Sequence, residues 1–276
     1  MGQAMKKSKK FRYIPLLLML TLALNGCTLL RFEPMEEAQQ KEEDQNRIIA
    51  QASSVPIEDM VAEDLVFERA MTTDSGVVLA QYTARLPQFV EDGAKSGALQ
   101  NINDYYADEL EGFEADCEWV FQTLQQELGA GWNNITDERQ PVTSTFDYEM
   151  LTAGEKTVSF IREYRYTDRS GAETVHYFAE VFDYATGWKL KFSDIMGENT
   201  AEAETELLSQ LDKWCQDNGL AFDEKDSISV DSLAEEFAIT DDELILCLNP
   251  FTLSADDGEG RLARLPLSAF SQWMQQ

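Results

Sequence analysis

A single histidine stands in the 276 residues, and there are four cysteines, no two of them spaced as Cys-x-x-Cys. One histidine excludes every two-histidine metal site, and the His-Glu-x-x-His signature is absent. A Ser–His–Asp triad would have to use His176, which lies mid-run in VHYFAEV, and no Gly-x-Ser-x-Gly elbow occurs. Ser-x-x-Lys and glycine-rich phosphate loops are missing too. Basic residues are scarce: 22 Lys and Arg face 51 Asp and Glu, a formal net charge of −29. Such a chain repels nucleic acid and anionic lipid headgroups, which proteins bind through Lys and Arg. Among so many acids, a chance pair of carboxylates is no sign of glycoside cleavage. No catalytic residue, metal site or cofactor is expected, and the chain reads as a binding protein, not an enzyme.

Long hydrophobic runs are lacking as well. Ile14–Leu24, IPLLLMLTLAL, is an uncharged stretch of 11 residues, whereas a membrane-spanning helix needs about 20. It follows Met1–Arg12, which holds five basic residues and no acid, and so has the form of a signal-peptide core. The run closes on Leu24-Asn25-Gly26-Cys27, which resembles a bacterial lipobox. In that signal the thiol, here that of Cys27, receives a diacylglycerol and the peptide is cut before it. A myristoylation reading of Gly2 fails because position 6 is Lys6. The expectation is a signal peptide over 1–26, then a lipidated Cys27 heading a polar tether over 27–56. The protein would then stand on the outer face of the cytoplasmic membrane, anchored by lipid. With 43% hydrophobic and 11% aromatic residues, the chain beyond the tether is not a disordered acidic tail.

Cys117, Cys215 and Cys247 remain after Cys27. Three cannot all pair; buried thiols are expected, with a Cys215–Cys247 disulfide as the alternative.

Met60–Thr72 and Val77–Leu86 flank Asp74-Ser75-Gly76 and predict a hairpin. Over Ala98–Leu128, Ile102, Tyr106, Leu110, Phe113, Cys117, Phe121 and Leu124 recur at three- and four-residue steps, and Gly129 follows. That spacing lays one apolar stripe on a long helix. Beyond the loop Trp132–Pro141 the period falls to two. Phe146, Tyr148 and Met150, then Val158, Phe160, Tyr164 and Tyr166 around Arg162, then Val175–Tyr184, predict an antiparallel meander. Thr200–Gly219 predicts a second amphipathic helix. Strands follow at Phe237–Thr240, Glu243–Leu248 and Arg261–Leu265, before a short helix at Leu267–Met274. The fold class is α+β: antiparallel sheets with long amphipathic helices packed on them. The division expected is a smaller α+β subdomain over 57–140 and a C-terminal domain over 141–276.

Two places are candidates for partner binding. The loop Ser254–Gly260, SADDGEG, concentrates Asp256, Asp257 and Glu259; it does not match the EF-hand spacing and otherwise reads as an acidic surface turn. Trp132, in GAGWNN, reads either as an aromatic anchor for a partner or as a ring packed on the helix end.

His176–Met196, HYFAEVFDYATGWKLKFSDIM, and Phe237–Phe270, FAITDDELILCLNPFTLSADDGEGRLARLPLSAF, together carry a resemblance. In the first, a strand ends in Asp, a Thr-Gly turn follows, and then a step into a helix. The second holds a Thr-Asp-Asp turn, a strand, Asn-Pro-Phe, a glycine-bearing loop and a closing Leu-Pro-Leu-Ser. Their order and spacing resemble the extracytoplasmic domain of RsiV-type anti-sigma factors, found also beside the catalytic domain of PdaC-type peptidoglycan deacetylases. The resemblance covers roughly 142–276, with 82–128 as the counterpart of the smaller preceding domain. In RsiV-type proteins that domain is an exterior receptor for lysozyme, and binding leads to release of a sigma factor inside. Here only Met1–Arg12 precedes the apolar segment, and no deacetylase domain with metal-binding histidines is present. The resemblance therefore implies a sensor or binding module without either output. The expected partner is lysozyme or another cationic envelope protein. The alternative is an accessory or structural cell-wall lipoprotein that binds glycan or another envelope protein.

Overall fold

The computed structural model describes residues 62–89, 97–136, 140–153, 156–197, 200–223, 230–233, 235–254 and 258–274. The expected signal peptide, Cys27 and tether lie outside the described residues, as do Asp256 and Asp257. Among the described residues no helix is long and apolar enough to cross a membrane. The region Ile48–Gln276 forms one compact unit.

Strands β1 (Ala62–Thr72) and β2 (Val78–Phe89) form the expected hairpin, running antiparallel from Ala62 opposite Phe89 to Thr72 opposite Val78. Gly76 turns it at φ 88°, a conformation that costs glycine little. Helix α1 (Gly97–Leu128) follows, 32 residues long. Its stripe of Ile102, Tyr106, Phe113, Cys117, Phe121 and Leu124 is buried, as the spacing predicts. The chain leaves it through Gly129 at φ 73°, a usual helix stop.

β3 (Val142–Ala153), β4 (Thr157–Thr167) and β5 (Glu173–Asp183) make the meander, with Thr143 opposite Thr167 and Thr157 opposite Asp183. β2 and β3 pair in parallel, Ala80 beside Val142. This join is the one departure from antiparallel pairing, and α1 is its cause: a parallel neighbour needs a crossover, and the helix returns the chain to the end where β2 began. The order β1-β2-β3-β4-β5 therefore runs across the 140/141 junction in one sheet. α1 lies over one face of it, touching Phe67 of β1 through Phe113 at 5.9 Å and Phe182 of β5 through Tyr106 at 5.9 Å.

The turn after β5 leads to α2 (Phe192–Met196) and α3 (Thr200–Asp217), then α4 (Val230–Leu233) and a second antiparallel sheet of β6 (Phe237–Ile239), β7 (Glu243–Leu248) and β8 (Arg261–Pro266). After β5 the chain makes one isolated antiparallel bridge, Lys189 to Phe182. The expected terminal helix is a single 3-10 turn, Leu267–Phe270, entered from Pro266. Leu207, Leu211 and Cys215 of α3 pack with Leu244, Leu246 and Leu248 of β7. Ile245 and Cys247, on the opposite face of β7, pack with Ile161 and Ala179 of the large sheet. The order of layers is thus helix, large sheet, small sheet, helix. Cys117, Cys215 and Cys247 are all buried thiols. Cys215 and Cys247 lie on opposite sides of β7, so a bridge between them would have to pass through the sheet.

Candidate functional site

β5 carries the two features on which a functional reading can be built. Toward its C-terminal end it holds a buried charge network. Near its N-terminal end, its free edge is held by the loop that joins β7 to β8.

Period-two alternation puts Val158, Phe160, Arg162, Tyr164 and Tyr166 of β4 on the α1 side of the sheet, with Phe178, Glu180 and Phe182 of β5. Two opposite charges therefore enter an apolar face. Arg162 is 2% exposed and Glu180 1%. The Arg162 Nε donates to both oxygens of Glu180, at 3.0 and 3.2 Å, and Nη2 also donates to Glu180. Nη1 donates to Glu109 of α1 at 2.6 Å. Tyr105 and Tyr106 donate their hydroxyls to Glu180 at 3.2 and 3.3 Å. Phe146 and Phe178 line the guanidinium at 5.0 and 5.4 Å. Burial works against the Arg162 charge, but Glu180, Tyr105 and Glu109 outweigh it and hold the group above the usual guanidinium range. Both tyrosines are raised, first by burial and then by Glu180. With every polar atom of the pair engaged, the network fixes α1 to β4 and β5. It is a positioning device and offers no open face to a substrate.

Glu236, just before β6, lies at the margin of this network. Burial, then Glu180, pushes its carboxyl up to about 7, with Lys189 and Arg162 opposing. His176 is lowered by burial, and its ring lies 6.4 Å from that of Tyr164. No group of three or more metal-ligating side chains occurs among the described residues.

The edge of β5 is satisfied by a side chain. Asn249 accepts from the Tyr177 N–H at 2.8 Å and donates to the Tyr177 carbonyl at 3.0 Å, standing in for a neighbouring strand. Gly260 closes the other end of the loop: a Cβ there would sit 2.3 Å from the Val175 carbonyl oxygen. Between these fixed points Phe251 holds φ 69° and is 47% exposed. It is the one positive-φ residue other than glycine among the described residues, a conformation that costs about 1–3 kcal/mol and survives only where its surroundings impose it. Thr252 N–H donates to the Asn249 carbonyl at 3.0 Å, and Ser254 bonds Asp223 at 3.0 Å. Glu259 pairs with Arg261 at 2.8 Å. The connection from β7 to β8 thus meets β5 at Asn249 and again at Gly260, and its Phe251 is exposed to solvent.

Trp132 belongs to a different place. It opens a 3-10 turn, Trp132–Asn134, after α1, half-buried, and borders a shallow groove with Gln122, Gln125, Gln126, Gly129 and Ala130. The structure sets it at the helix end by the β1–β2 turn, and Glu259 against β5. Arg162, Glu180, Tyr105 and Asn249 were not among the residues singled out from the sequence. The signal for the first two was there: an arginine and a glutamate, each in phase with aromatic residues on neighbouring strands.

No family profile matches the chain, and no curated protein matches it. Two solved structures share its fold. A DUF3298 family member from Bacteroides fragilis superposes with a TM-score of 0.59 at 11% identity, over 79% of this chain and 94% of that one. A DUF3298 family protein from Pseudomonas aeruginosa gives a TM-score of 0.51 at 12% identity, over 78% of this chain and 94% of that one.

Proposed function

We propose that this chain is a non-catalytic binding module, held by lipid at Cys27 on the outer face of the cytoplasmic membrane, that engages a cationic envelope protein such as lysozyme. The observation that carries this reading is the charge: 51 acidic against 22 basic residues, on a fold whose buried cation is already neutralised by Glu180 and Glu109. A surface of one sign raises the rate of encounter with a partner of the other, and salt screens the effect. The loop from Asn249 to Arg261 is the contact face. Phe251 is its exposed aromatic anchor, and the acids of the same stretch of sequence, Asp256, Asp257 and Glu259, supply the charge that meets the cation. The resemblance to RsiV-type receptor domains supports the choice of partner class. The test is retention of lysozyme on the immobilised chain from Cys27 onward. Retention at low ionic strength that weakens in high salt is expected. No retention at low ionic strength would remove this reading.

A further inference from the structure

We propose that the end of α1 and the turn after it form a binding subsite for an uncharged saccharide chain, distinct from the loop at the β5 edge. The groove is shallow and open, about 410 Å³, and is lined by Gln122, Gln125, Gln126, Gly129, Ala130 and Trp132. Its composition selects the ligand. A pyranose ring has one face of C–H groups and a rim of hydroxyls that each donate and accept. Trp132 supplies an aromatic surface for the first, on which C–H groups stack. Each glutamine amide supplies a donor pair and an acceptor for the second. The Gln125 and Gln126 side chains make no hydrogen bond among the described residues, while Gln122 has a long one, 3.5 Å, to Glu118. Gly129 and Ala130 put no bulk beside the indole, so a sugar ring can lie flat against it.

The turn that carries Trp132 is held before any ligand arrives. The Trp132 N–H donates to the Gly129 carbonyl at 3.1 Å, and the Asn134 N–H to that of Gly131 at 3.0 Å. From the β1–β2 turn, the Asp74 N–H donates to both the carbonyl and the side-chain oxygen of Asn133, at 3.1 and 3.0 Å, and Ser75 donates to the Ile135 carbonyl at 2.6 Å. A turn fixed in this way loses little backbone freedom on binding, which favours affinity. Charge narrows the class further. No Lys or Arg lines the groove. Glu118 borders it, and Glu127 follows Gln126 with its carboxylate 3.9 Å from Arg169. Glu118 is paired with Arg69 at 2.7 Å and Glu127 with Arg169, so selection against uronates, phosphate-bearing polymers and nucleic acid comes from the net charge of −29, which an uncharged chain does not meet.

The test is a titration of the chain from Cys27 onward, without any partner protein, followed by the five tryptophan indole N–H signals in a nitrogen–proton correlation spectrum. Trp132→Phe assigns the signal. The probes are chitotetraose and cellotetraose, with an oligogalacturonate as the anionic control. A saturable shift of the Trp132 signal with either neutral sugar and none with the anionic one is expected. Gln125→Ala with Gln126→Ala should weaken binding about tenfold, the loss of two neutral hydrogen bonds, and leave the unfolding midpoint unchanged. The proposal is overturned if the Trp132 signal does not move at millimolar sugar. It is equally overturned if only Trp119, Trp188, Trp214 or Trp273 responds, or if the oligogalacturonate binds as well. Because no lysozyme is present, failure here leaves the proposed protein partner untouched.

Discussion

Arg162 and Glu180 are withdrawn from water between α1 and the sheet, so each charge depends on the other. Removing one partner leaves the other buried and uncompensated, at a cost of about 3–5 kcal/mol. Arg162→Met and Glu180→Leu, each alone, should lose about that much in urea unfolding. The double substitution should recover part of that loss: an apolar pair removes both ionic desolvation penalties, while the buried Tyr106 hydroxyl is left without its acceptor. Equal losses in single and double variants would show that the aromatic surround, not the ion pair, holds these strands. Glu236 gives a second residue-scale outcome. Its carboxyl is raised from the ordinary 4.5 to about 7, so between those values the folded chain keeps a proton that the unfolded chain has lost. Stability from this group is therefore full below pH 4.5 and is lost as the pH rises through 7. Glu236→Gln should flatten that fall and raise the unfolding midpoint at pH 8, read by thermal unfolding across pH. A midpoint at pH 8 no higher than that of the parent chain would contradict the burial of a charge at this place.

At the scale of elements, the turn after β5 meets the first turn of α1 at close range. Gly187 holds φ 71°, and a Cβ there would stand 1.9 Å from the Ala98 carbonyl oxygen. Asp183 ties the turn by accepting from Thr186 N–H at 2.7 Å, and Asn101 of α1 donates to the Thr186 carbonyl at 2.7 Å. Gly187→Ala adds backbone strain of about 1–2 kcal/mol to a clash with fixed backbone. Gly76→Ala carries only the strain, since nothing lies within 4 Å of its Cβ position. Chemical unfolding should show the first variant clearly less stable than the second; equal losses would mean that α1 shifts freely against β5. These elements differ in how far the sequence shows them. The span of α1 follows from seven apolar residues at helical steps, and the meander from alternation. The parallel join of β2 to β3 does not, because periodicity says which face a residue takes and not which strand lies beside it. The opposite placement of Cys215 and Cys247 is hidden for the same reason. Asn249 is hidden because its task, pairing with the Tyr177 backbone, leaves no periodic trace. Arg162 and Glu180 were legible in principle as charges in phase with apolar neighbours, and went unread because a charge in a strand is normally assigned to the solvent face.

Across the whole molecule, the decisive quantity is charge. A chain at −29 carries some self-repulsion that salt relieves, and in this account the acid surplus steers a cationic partner. The most direct measurement is the association rate of lysozyme with the surface-held chain from Cys27 onward, at two salt concentrations, beside the variant Asp256→Asn, Asp257→Asn and Glu259→Gln. Rim charges act mainly on association and on its salt dependence. The account predicts association that slows as salt is raised, a slower and less salt-sensitive association in the triple variant, and nearly the same dissociation rate in both. Absent binding at low salt, or association indifferent to salt and to the three substitutions, would contradict it.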